Sequence, residues 1–129
     1  MGAWGHQFDE DDSALDWLGT FEDNMNWSTV EAAFMAVKEA DYVEYDECCG
    51  ALVAGEIVAS ALGQPNTRLS GAIRSWAEAH SLGAVPLQHI AHEAVARVRG
   101  NSELSELWSE SESAAAWNAT VDDLILRLK

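Results

Sequence analysis

The chain has 129 residues, 48% hydrophobic and 22% charged, enough for one domain that buries about two thirds of its unfolded surface without help from a metal or a disulfide. Its net charge of −15, from 22 acidic and 7 basic residues, repels phosphate backbones and anionic lipid, which argues against nucleic acid and membrane surfaces as partners. The imbalance lies at the front. Residues 1–67 hold 14 acids against Lys38 alone, and residues 68–129 hold 8 acids and 6 bases, so an electrostatic partner is expected to be a basic protein approaching the N-terminal half.

The opening run Gly2-Ala3-Trp4-Gly5-His6-Gln7-Phe8 has no Lys or Arg and leads into Asp9-Glu10-Asp11-Asp12. That is unlike a secretory signal, and a cytoplasmic protein is expected, with residues 1–10 as an extended arm packed on the rest. Past the arm, helical spacing recurs and strand-like alternation does not. This predicts an all-α fold: a compact bundle of about six to seven helices in a single domain, residues 1–129.

The first helix is expected after Asp11 or Asp12, which cap its free N–H groups, with Leu15, Leu18 and Phe21 on the inner stripe. The second is expected from Ser28, where Ser28-Thr29-Val30-Glu31 reads as a capping box and Trp27 as the residue packed before it. The third, Asp46 to Leu62, is apolar or small on every side and ends at Gly63, which places it at the centre. A fourth follows from about Leu69 to His80. A fifth runs from Pro86 to Gly100, with proline at its start and glycine at its end. Ser102 caps a sixth, Glu103 to about Glu110, and a seventh spans about Ala114 to Leu128.

Few residues suggest chemistry. His89, His92 and Glu93 share one helical face and are candidate metal ligands, but their order is not that of a zinc protease, and the helical wheel turns them toward solvent. Glu56 stands amid Val53, Ile57 and Ala59; if buried it needs a donor such as an arginine, or it is a general acid with a raised pKa. Cys48 and Cys49 are adjacent, a poor geometry for a disulfide with each other, and read as free thiols. Five of the six tryptophans fall at helical spacing and read as core. Trp4 lies outside any helix and is either a core anchor or part of a recognition surface. No phosphate-binding glycine loop, nucleophile elbow or calcium loop is present, and no cofactor is expected.

Gly2-Ala3-Trp4-Gly5, then Phe8, Asp11-Asp12 and Ala14-Leu15-Asp16-Trp17-Leu18, taken together, resemble a bacterial family catalogued as a domain of unknown function, whose members open G-x-W-G…F…D-D-A…D-W. The likeness extends to Ser102-Glu103-Leu104-Ser105-Glu106-Leu107-Trp108 and to Trp117 through Leu128. It implies a small soluble bacterial protein and carries no catalytic residues across. The leading reading is a non-enzymatic module that binds a basic protein, with Trp4, Asp11, Asp12 and Asp16 as its contact residues. The alternatives are a metal-binding protein or enzyme using His89, His92 and Glu93, and a homo-oligomer pairing through an exposed Trp or Leu face.

Overall fold

The computed structural model describes residues 2–129, and seven α-helices hold most of them: α1 (Asp12–Asp23), α2 (Trp27–Glu39), α3 (Tyr45–Ala61), α4 (Gly71–Ala79), α5 (Gln88–Gly100), α6 (Glu103–Ser109) and α7 (Ala114–Arg127). The all-α expectation holds. No strand forms among the described residues, and the one β-type contact there is an isolated antiparallel bridge between Ala3 and Asp11. The helix α3 is the hub. Every residue from Cys48 to Ala61 is buried, because small and apolar side chains all round the helix let α1, α2, α4, α5, α6 and α7 pack against it. Of the two glycines on α3, Gly55 marks the tighter approach: a methyl there would lie 2.9 Å from Val95 Cγ2 and 3.2 Å from Leu124 Cδ2. Gly63, at φ +87°, turns the chain out of α3, a backbone state open to glycine at little cost.

Three helix starts and ends differ from expectation. The helix α2 begins at Trp27, with Asn26 as N-cap accepting from Thr29 N–H; Asn caps as well as Ser and comes first in the chain, so the Ser28–Glu31 box never forms. Pro86 sits in a 3₁₀ turn, Val85–Leu87, and α5 starts only at Gln88. Gly100 is the last residue of α5 and Asn101 its C-cap, so glycine does not supply the stop. Ser102 caps α6 as expected, with Ser105 closing the box.

Two of the tryptophans, Trp108 and Trp117, are buried and stacked at 6.2 Å. Trp17, Trp27 and Trp76 are only half-buried. They form a chain through Phe21, with centroid separations of 5.3 Å for Trp17–Phe21, 5.6 Å for Phe21–Trp76 and 4.7 Å for Trp76–Trp27. Trp4 is 59% exposed and anchors no core.

Candidate functional site

The N-terminal segment folds back on itself before α1 begins. Trp4 N–H donates to the Glu10 carbonyl and Asp12 N–H to that of Gly2. Phe8 is buried, and Arg68 holds Asp9 at 2.7 Å. This loop delivers Asp11, 5% exposed, into the junction of α1 and α3. One oxygen accepts from Ser13 N–H (2.8 Å), Ala14 N–H (3.3 Å) and the Cys49 thiol (3.5 Å), and the other from the Tyr45 hydroxyl. Asp11 therefore lies beneath the surface rather than on it, as the cap that orients α1. Burial, with the Asp11 carboxylate beside it, pushes both the Cys49 thiol and the Tyr45 hydroxyl well above their ordinary pKa values. Neither is poised as a nucleophile or base. Both cysteines are free, as the sequence suggested, and both are buried.

With α1 so oriented, Asp12, Leu15, Asp16 and Asp23 are exposed on its outer side. Beside them a groove of about 310 Å³ opens between α1, α2 and α3, lined by Ser13, Asp16, Trp17, Thr20, Phe21, Thr29 and Asp46. Ser13 Oγ donates to Asp46 Oδ1 at 2.8 Å across it. Trp17 is held by stacking on Phe21 and by Gly50, whose missing side chain leaves room for the indole edge: a methyl there would lie 3.2 Å from Cδ1 and Nε1. The sequence singled out Asp16 but missed Asp46, Thr20 and Thr29. Asp46 stood only as the expected start of the third helix, and the crossing of α1 over α3 leaves no local mark.

Glu56 is 3% exposed and meets an arginine, one of the two outcomes considered. Arg127 donates Nη2 to Oε1 at 2.7 Å and Nη1 to Oε2 at 3.0 Å, and its Nε reaches Asp123 at 2.8 Å. Burial pushes the Glu56 carboxyl above its ordinary range, with Arg127 pulling against it; the guanidinium is itself raised by Glu56 and Asp123 despite its own burial. The upward shift on Glu56 follows from the nearly complete burial of its carboxylate. Glu56 also borders a cavity of about 30 Å³ under the N-terminal segment, with Cys49, Trp108 and Trp117. Such a volume suits a single water. His6 lies there too, its Nδ1 2.8 Å from Thr120 Oγ1.

The proposed metal face is divided. His89 is exposed and pairs with Glu93 at 2.8 Å. His92 is half-buried beside Val85, Pro86 and Leu128, and its buried Nε2 has no hydrogen-bond partner among the described residues. It does not share the solvent face that the helical wheel assigned it, because the 3₁₀ turn before α5 and the end of α7 cover it. No group of three or more His, Cys, Asp or Glu among the described residues is arranged to hold a metal ion, and no described helix is long and apolar enough to cross a membrane.

The arginines complete the electrostatic picture. Arg74 donates to the Leu69 carbonyl, Arg97 to those of Val37 and Asp41, and Arg99 pairs with Asp122. With Arg68 and Arg127 spent on Asp9 and Glu56, every arginine is committed to an internal partner. Among the described residues, Asp12, Asp16, Asp23, Glu31, Glu39 and Asp46 are exposed and stand in no ion pair.

A family model, Domain of unknown function (DUF4259), matches residues 2–120. Neither the curated proteins nor the solved structures compared with the chain match it.

Proposed function

The chain belongs to the family Domain of unknown function (DUF4259), and from that premise, which brings no reaction with it, we propose that it is a non-enzymatic binding module whose acidic N-terminal half docks a basic protein. The observation behind this reading is the one-sided use of charge. Every arginine is paired with a carboxylate of the chain or with backbone carbonyls, while Asp12, Asp16, Asp23, Glu31, Glu39 and Asp46 on α1 to α3 are exposed and stand in no ion pair among the described residues. A surface of this kind accelerates encounter with a cationic partner. The contact surface we assign comprises Trp4, Asp12 and Asp16, with exposed Leu15 between the two aspartates as an apolar anchor. Asp11 supports it from below by fixing the start of α1.

The test is to capture partners from the organism that makes the protein, identify them, and measure association with the purified components at rising salt. The captured protein should be basic, and its association rate should fall at least about tenfold between about 0.05 M and about 0.5 M salt. Asp12→Asn with Asp16→Asn should slow association further while leaving the fold intact. A neutral or acidic partner, or an association rate indifferent to salt, overturns the reading.

A further inference from the structure

We infer that the groove between α1, α2 and α3 is the socket for a single cationic side chain, a guanidinium or ammonium, presented by the basic partner; this deepens the proposed reading and rests on it.

The groove combines three kinds of group. Asp16 and Asp46 set a carboxylate on α1 and another on the first turn of α3. Thr20 and Thr29 line it with hydroxyls, and Trp17 supplies an indole. An ammonium or guanidinium uses all three: ion pairing to the carboxylates, N–H donation to hydroxyl oxygens, and attraction to the electron-rich ring of a tryptophan. Trp17 packs against Phe21 at 5.3 Å and over Gly50, and these contacts limit the ordering required when the cation arrives. A bare divalent ion fits less well. It wants six or more oxygens closing around it, whereas this groove has a volume of about 310 Å³ and is lined partly by aromatic carbon. Charge selects the occupant as well: the groove is lined by two carboxylates and by no lysine or arginine of this chain.

The experiment uses the intact protein and a hexa-arginine peptide, with an uncharged peptide of equal length as control, and follows the six indole N–H signals by NMR. The Trp17 signal, identified by its loss in Trp17→Phe, is expected to shift on adding hexa-arginine and not on adding the control. Asp16→Asn with Asp46→Asn is expected to weaken binding about tenfold. Asp23→Asn with Glu39→Gln, which removes the same charge from outside the groove, should weaken it about twofold or less. The socket is overturned if the two double variants weaken binding equally and the Trp17 signal stays still; the acidic half would then bind by its field alone, and the proposed function would survive. Failure of hexa-arginine to bind at any salt concentration overturns both.

Discussion

Glu56 illustrates what a buried charge demands of its surroundings. Replacing Arg127 with Met leaves the carboxylate without its bidentate donor, and a loss of about 3–5 kcal/mol is expected in denaturant unfolding. The double change Glu56→Leu, Arg127→Met should recover much of it, because two apolar groups need no compensation. The pH dependence follows from the upward shift of Glu56. The folded chain holds this proton more tightly than the unfolded one, so the contribution is complete below the ordinary carboxyl value of about 4.3 and is lost as pH rises through the higher folded-state value. Glu56→Gln should remove that downward slope from the stability–pH profile, and an unchanged profile would contradict the assignment. Ser60 makes the opposite case. Its hydroxyl is fully buried without a partner among the described residues, so Ser60→Ala should leave stability unchanged or raise it by about 1 kcal/mol. At this scale the sequence is half legible. It exposes Glu56 as misplaced on an apolar helix and Asp11 as a cap, but Arg127 lies 71 residues from Glu56 and Tyr45 34 residues from Asp11, and no local pattern joins them.

Among the elements, α3 constrains the most. Its glycines are where other helices touch it, and Gly55 has the least room. Gly55→Ala raises helix propensity by about 1 kcal/mol, yet the new methyl runs into Val95 and Leu124, and overpacking of this kind costs about 1–3 kcal/mol. A net loss of stability is expected by thermal unfolding; a gain would mean that α5 and α7 can slide outward freely. Helix order and approximate extent were legible because apolar spacing and caps are local. The ends were less so. Asn26 displaced Ser28 as cap of α2, and α3 starts on a Glu44–Glu47 capping box that a search for serine or threonine passes over. The groove was not legible, since it belongs to the crossing of three helices and not to any one of them.

For the molecule as a whole, the outward carboxylates repel one another as well as attract a partner. Screening them should stabilise the fold, and the melting temperature is expected to rise between about 0.01 M and about 1 M sodium chloride. A flat or falling response would indicate that the acids are too far apart to matter. The two thiols, by contrast, are shut away from solvent. Cys48 and Cys49 are buried under the N-terminal segment and α6, and burial raises both above the ordinary thiol value. Alkylation by iodoacetamide at mildly alkaline pH, read by mass, should be negligible for the folded chain and complete in denaturant.

The half-buried aromatic chain also has an optical consequence. Trp27 and Trp76 lie 4.7 Å apart with their planes tilted by 44°, close enough for their excited states to mix and for the mixed transitions to rotate polarised light. Part of the protein's ultraviolet ellipticity therefore arises from this pair rather than from peptide groups. A Trp76→Phe chain would lose that part with every helix intact, so a dichroism spectrum alone would misread it as partly unfolded.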